Sequence, residues 1–188
     1  MFSGRPHALN LGVFVNILAI DQARSGGWSI FDYEKKSLVS FGTFSFPNTE
    51  YTYARVLVEI CDVVQSLILS NDISAVFIED IQLRKNVDAF KKLAQLQGSL
   101  VSMFERNEYL YNFVSPSKWQ NFCRTRGRTA KEIKSKITEV EISDKKESKM
   151  LSIQFVKDKF GIETENDNLS DAICLGYWVV MNADIKFR

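Results

Sequence analysis

Four acidic positions fall where they could act together. Asp21 closes a short apolar run, NILAID, at positions 16–21. Glu79 stands near the end of a second run, SAVFIED, at 74–80, and Asp167 and Asp171 flank Asn168 near the C-terminus. Taken singly, an Asp after a strand is usually a turn residue, and an acid in a first helical turn usually complements the helix dipole. As a set, on the ends of successive elements, they point to chemistry. Clustered carboxylates repel one another unless a cation holds them, and hard oxygen donors suit Mg²⁺ or Mn²⁺. Two such ions, roughly 3.5–4 Å apart, can activate a water and stabilise the leaving oxygen of a phosphodiester. The expectation is a metal-assisted hydrolase acting on a phosphodiester.

The rest of the composition excludes the alternatives that need other groups. The only histidine is His7, close to the N-terminus, so a triad built on a core histidine is not expected. Cys61, Cys123 and Cys174 are far apart, odd in number and without a CxxC pair. That pattern fits a reducing compartment and argues against both a disulfide framework and a Cys/His zinc site. Apolar residues make up 45% and aromatics 12% of the 188-residue chain, enough for one domain with a packed core. The apolar runs are too short to span a bilayer, so no membrane partner is expected. The formal net charge of +1 does not by itself announce a nucleic-acid binder, which makes the distribution of charge the informative quantity.

Elements that would carry the acids can be read from period and punctuation. The run 16–21 reads as a strand. Gly26 and Gly27 then predict a turn, with strands over 28–33 and 38–46 completing an antiparallel meander. Ala54, Leu57, Val58, Cys61, Val64 and Ile68 recur at helical spacing, predicting an amphipathic helix over 52–69. The run 74–80 is a buried-strand candidate, followed by a long helix over 86–106, a strand over 109–114 and a short helix opened by Pro116. Helices over 145–159 and 170–183 end the chain. A meander followed by alternating helices and strands implies an α/β fold, a five-stranded mixed sheet flanked by helices. In a sheet of this topology the first and fourth strands are neighbours, so Asp21 and Glu79 would lie side by side, with the last helix supplying a third acid. Residues 1–16 are expected to form an N-terminal extension and 17–188 a single domain.

Positive charge is concentrated in one stretch. Lys118, Arg124, Arg126, Arg128, Lys131, Lys134 and Lys136 lie within 118–136, where Glu132 is the only acid. Such a run is often just a solvated face. Beside an acidic site it gains a purpose, because an acidic site alone repels DNA. Arg84 and Lys85, just after Glu79, would extend the same rim. In the helix over 86–106, Gly98 is costly by about 1 kcal/mol relative to alanine and suggests close approach of another backbone, from the sheet or from a second subunit.

The ordered set of segments resembles a known family. ILAIDQARSGGWSIFD (17–32) resembles the first hairpin of RuvC-type Holliday-junction resolvases, and VFIEDIQ (76–82) resembles their second acidic strand. KKLAQLQGSLVSMF (91–104) looks like their subunit-pairing helix, and SPSKWQ (115–120) like the strand-to-helix turn after it. KKESKMLSIQFVKDKFGI (145–162) and DNLSDAICLGYW (167–178) resemble the lysine-bearing helix and the closing acidic helix. The likeness runs over about 17–180 and looks nearest to the resolvase-like nucleases of phages. It implies an RNase H-like fold, a homodimer, and metal-dependent cleavage of four-way or otherwise branched DNA. It further implies Asp21 as the central metal-bridging ligand, Glu79 and Asp171 as the second and third carboxylates, and Lys149 as the lysine near the scissile phosphate. Lys145 and Lys146 are rivals for that last role. The position three before Asp171, an acid or histidine in many relatives, is Asn168 here; its side-chain carbonyl could still reach a metal, and Asp167 could compensate.

Three alternatives remain open on the sequence: an RNase H-like nuclease acting on RNA or flaps, a non-catalytic junction-binding protein, and a sugar-kinase-like ATPase. The last lacks a glycine-rich phosphate loop and the length for two such domains. The expected location is the cytoplasm of a bacterium or of a phage-infected host cell.

Overall fold

The computed structural model describes residues 15–47, 50–82, 86–126 and 144–185, apart from the side chains of 144–148. Strands β1 (Asn16–Asp21), β2 (Ser25–Asp32) and β3 (Ser37–Ser45) form the antiparallel meander. Helix α1 (Tyr53–Ser70) leads to β4 (Ile73–Glu79), and α2 (Val87–Arg106) leads to β5 (Tyr111–Val114). β4 is parallel to β1 and β5 is parallel to β4, giving the order β3-β2-β1-β4-β5. Helices α3 (Pro116–Phe122), α4 (Asp144–Phe160) and α5 (Asp167–Asn182) follow. The predicted mixed five-stranded sheet, with the first and fourth strands adjacent, is the one found.

The sheet is covered on both faces, and strand alternation sorts the side chains between them. On one face Ile17, Ala19, Ala75 and Phe77 pack with Val156 of α4 and Ile173, Leu175 and Val179 of α5. On the other, Leu18, Ile20, Val76 and Ile78 meet Val56, Ile60, Val64 and Ile68 of α1 and Leu96, Leu100 and Phe104 of α2. All four apolar residues of β1 are fully buried. That is why this strand reads as an unbroken apolar run: it is central, with a helical layer on either side. Each such side chain contributes roughly 1.5–3 kcal/mol by leaving water. By contrast β3, an edge strand, leaves Val39 and Phe41 exposed.

Helix starts follow from capping residues. Thr52 Oγ1 accepts from the Arg55 amide, Asn86 Oδ1 from Ala89 and Asn166 Oδ1 from Leu169. Such caps stabilise by about 1 kcal/mol each. The Asn166 cap starts α5 at Asp167, before the apolar pattern that sets the expected start at 170. A second difference concerns Gly26 and Gly27, whose pairing in sequence predicts a turn. Both lie within β2 and pair with β3, and Gly27 also pairs with β1. Their lack of a side chain serves close packing there, as the site shows.

Candidate active site

Alternation places the first two acids. Ile17 and Ala19 of β1, and Ala75 and Phe77 of β4, face α4 and α5. Asp21 and Glu79, two residues further along each strand, continue that face. Ile20 pairs with Ile78, so the two acids follow at neighbouring carboxyl ends of parallel strands.

The third acid arrives on α5, which is seated on β2. Gly27 pairs with Asp21, and a Cβ at Gly27 would lie 2.1 Å from the Asn168 carbonyl oxygen. Ser29 Oγ donates to the Ala172 carbonyl at 2.7 Å. A Cβ at Gly176 would come within 2.7 Å of Ser29 Oγ and the Phe31 ring. Gly27, Ser29 and Gly176 thus let the helix lie close to the strand. Its first turns, with Asp167, Asn168 and Asp171, come to rest beside Asp21.

Electrostatics records the convergence. Burial first, then the charges of Glu79, Asp171 and Asp167, push the Asp21 carboxyl well above the usual carboxylate range, while Lys149 pulls the other way. Burial is also the main reason that Asp171 is pushed up to about 7; a hydrogen bond with Ser152 and the charge of Lys149 lower it, and Asp167 raises it. Lys149 on α4 forms an ion pair with Asp167. That hydrogen-bonded pairing, helped by the charges of Asp167, Asp171 and Asp21, holds the ammonium above its ordinary pKa against the opposing effect of desolvation.

The structure therefore brings Asp21, Glu79, Asp167, Asp171 and Lys149 together, with Asn168 lining the same cavity as Asp21 and Glu79. Lys145 and Lys146 have side chains outside the described residues. Among the cations expected on the DNA rim, Lys118, Arg124 and Arg126 are exposed. The Lys118 ammonium lies 5.6 Å from the centre of the Trp178 ring, and Trp178 is about 10 Å along α5 from Asp171. Arg84, Lys85, Arg128, Lys131, Lys134 and Lys136 lie outside the described residues. Two polar residues at the site escaped the sequence reading. Ser152 is fully buried, donates to the Lys149 carbonyl at 3.0 Å and lowers the pKa of the Asp171 carboxyl; its place one turn after Lys149 was the available signal. Gln22 is 5% exposed and donates to the Glu79 carbonyl at 2.9 Å. Nothing in its sequence context marks it apart from its position next to Asp21.

The donors suit a hard divalent cation in kind: carboxylates in excess of nearby positive charge, with the Asn168 amide adjacent. Among the described residues, no three His, Cys, Asp or Glu side chains are drawn in closely enough to hold a metal ion as they stand. Asp167 is instead engaged by Lys149. Proton affinity raised by crowding and burial is the property that a cation would relieve at Asp21 and Asp171.

A mixed sheet in this order, with carboxylates on adjacent parallel strand ends and on a closing helix, defines an RNase H-like nuclease. The family model for crossover junction endodeoxyribonuclease RuvC matches residues 17–177. The chain belongs to that family, the endodeoxyribonucleases that act on Holliday junctions. Solved structures agree in fold. Thermus thermophilus RuvC in complex with a Holliday junction substrate is 12% identical, with 90% of this chain and 94% of that chain covered and a TM-score of 0.64. The yeast mitochondrial Holliday junction resolvase is 11% identical, over 89% of this chain and 78% of that one, at 0.54. The fowlpox virus resolvase with its junction DNA is 12% identical, over 89% and 97%, at 0.53. No curated protein matches the sequence.

Proposed function

We propose that the chain cuts four-way DNA junctions by hydrolysis, using Asp21, Glu79 and Asp171 to hold Mg²⁺ or Mn²⁺, two ions per site, with Asp167 and Asn168 as further donors. The convergence of these acids with Lys149 carries the reading. When bound, the ions supply an activated water and neutralise charge on the phosphate. Asp21, at the centre of the cluster, orients the assembly from β1. Glu79 flanks it from β4 and Asp171 from α5. Ser152, whose hydroxyl donates to the Lys149 carbonyl at 3.0 Å, favours the charged form of the Asp171 carboxyl. Lys149 offers a positive charge to the phosphoryl oxygens, where charge grows during attack; to do so its ammonium must leave Asp167. Lys118, Arg124 and Arg126, with Arg84, Lys85, Arg128, Lys131 and Lys134, contact phosphates and set the register of the DNA without reading its sequence.

Two copies act together in this reading, each cutting one strand of a junction. A groove of about 940 Å³ between α1 and α2, with Leu57, Val58, Cys61, Gly98 and Met103 on its walls, supports the pairing. A Cβ at Gly98 would meet nothing within 4 Å, so the sheet does not account for this glycine. Among the described residues no helix is long and apolar enough to cross a membrane. The setting proposed is the cytoplasm of a bacterium or phage-infected host.

The test is incubation of the purified protein with labelled four-way junction, flap, duplex and RNA–DNA hybrid in Mg²⁺ and in Mn²⁺, beside Asp21→Asn. Paired cuts in the junction, absent from the variant, are expected. Preferred cutting of the flap or hybrid, or tight junction binding with no cutting in either metal, would replace this reading.

A further inference from the structure

Two lysines of α4 have equal exposure and different company. The side chains of Lys149 and Lys157 are each 54% exposed, and each is ion-paired with an acid beyond the end of the helix, Asp167 and Glu163 respectively. Glu163 is itself 79% exposed, so its pair with Lys157 lies in solvent, where such contacts contribute little. Asp167 is 25% exposed and has neighbours of another kind. Its charge raises the proton affinity of both Asp21 and Asp171, and Lys149 opposes it at both.

As the first residue of α5, after the Asn166 cap, Asp167 complements the helix dipole. That duty needs no lysine. Its place between an ammonium and two crowded carboxylates gives it a second one. A carboxylate cannot serve an ammonium and a divalent cation at once with full strength. An oxygen that accepts from the Lys149 ammonium has a lone pair committed to it, and a second cation brought to the same carboxylate meets the repulsion of the first. The two therefore compete for Asp167. While the pair is closed, the ammonium is turned toward Asp167 and away from any phosphate.

Resting on the metal-dependent nuclease reading above, we propose that Asp167 is an exchange carboxylate: it holds the Lys149 ammonium back from the phosphate and releases it when a divalent cation takes its place on the same oxygens. Asp167 is then a positioning residue that acts through Lys149. The positive charge of the lysine reaches the phosphoryl oxygens only at a site already loaded with cation. The exposure of the pair suits this duty. An ammonium more than half exposed is rehydrated easily and the pair opens at small cost, whereas a fully desolvated pair would stay shut. Asn168, the next residue, is uncharged and offers the ammonium no ion pair.

The experiment titrates the full chain with Mn²⁺ and counts free Mn²⁺ by electron paramagnetic resonance, for wild type, Lys149→Met, Asp167→Asn and the double variant. Lys149→Met should tighten Mn²⁺ roughly tenfold, since an opposing charge is gone and Asp167 is set free. In the Asp167→Asn background the same replacement should tighten it about threefold or less, because no pair remains to be broken. Lys149→Arg keeps the charge and should bind Mn²⁺ no tighter than wild type. A second measurement follows junction binding against salt, in Ca²⁺ and in chelator. Lys149→Met should flatten the slope of log K against log salt by roughly 0.9 in Ca²⁺, the loss of one phosphate contact, and leave it unchanged in chelator. Equal tightening of Mn²⁺ in both backgrounds would make Lys149 a general charge with no special tie to Asp167, and overturns the proposal. So does a change of slope that is the same with and without Ca²⁺. A wild type that binds no Mn²⁺ overturns the exchange and the metal-dependent reading together. Equal tightening in a protein that binds Mn²⁺ and cuts junctions overturns the exchange alone.

Discussion

Asp21 has a carboxyl raised well above its usual range because it is buried among Glu79, Asp171 and Asp167. In the proposed site, replacing it with asparagine would remove a metal ligand and leave the proposed phosphate contacts elsewhere alone. Asp21→Asn is expected to lower junction cleavage by on the order of a hundred- to a thousandfold or more, as removal of a transition-state stabiliser does. Binding, read by gel shift, should change little; near-normal cutting at saturating metal would remove Asp21 from the site. Asp171, pushed up to about 7, gives a pH dependence whose sign follows directly. The folded protein holds this proton more tightly than the unfolded chain, where the carboxyl titrates near 3.8. Its contribution to stability is therefore full below about pH 4 and is lost as pH rises through about 7. In chelator, Asp171→Asn should melt above wild type at pH 8, and the gap should close toward pH 4. A constant gap would mean that the carboxyl is not held protonated. Asn168→Asp adds a carboxylate beside the cluster: it should lower the Mg²⁺ needed for cleavage and lower the melting temperature in chelator. If neither moves, Asn168 is not a donor.

Between β2 and α5 the backbone distance matters more than any side chain. A Cβ at Gly27 would strike the Asn168 carbonyl at 2.1 Å, so Gly27→Ala must push the first turn of α5 away from Asp21. Overpacking of this kind costs about 1–3 kcal/mol. The loss of activity should exceed what the loss of stability explains, since the displaced turn carries Asp167, Asn168 and Asp171. A melt paired with a cleavage assay at a temperature where the variant is fully folded decides it; full activity there would show that α5 tolerates the shift. α2 presents the opposite case. Gly98 has open space where its Cβ would be, so the intrinsic cost of a mid-helix glycine is not offset by packing within the chain.

For the whole molecule, net charge near zero conceals a local separation: acids at the strand ends, cations on α3 and the segment after it. Replacing Arg124, Arg126 and Arg128 together by alanine should weaken binding to every DNA shape. The slope of log K against log salt should flatten by roughly 0.9 for each phosphate no longer neutralised. An unchanged slope would mean that these arginines face solvent. Pairing of two copies would cover the α1–α2 groove, where Val58 is 47% exposed in the single chain. Val58→Glu should shift the protein to monomer in sedimentation velocity, and a wild type that is itself monomeric at all concentrations would dispose of the pairing.

Local rules were enough for much of this. Apolar period and capping residues show in the sequence, so the strands, the helices and the fold class are legible from the residues alone. Asp21 and Glu79 are legible for the same reason, since each ends a buried strand. The ordered motifs add Asp171 and Lys149. What stays hidden depends on contacts between residues far apart in the chain. Gly26 and Gly27 look like turn residues until α5, some 140 positions later, is laid against the strand that contains Gly27. Asp167 looks like a helix-dipole residue until Lys149 arrives from α4. Gln22 carries no signal of its own, because its neighbours Glu79 and Gln97 are supplied by other elements. Period and propensity act over a few residues, whereas desolvation, close approach and charge coupling act across the space between elements, and only the packed tertiary structure sets those distances.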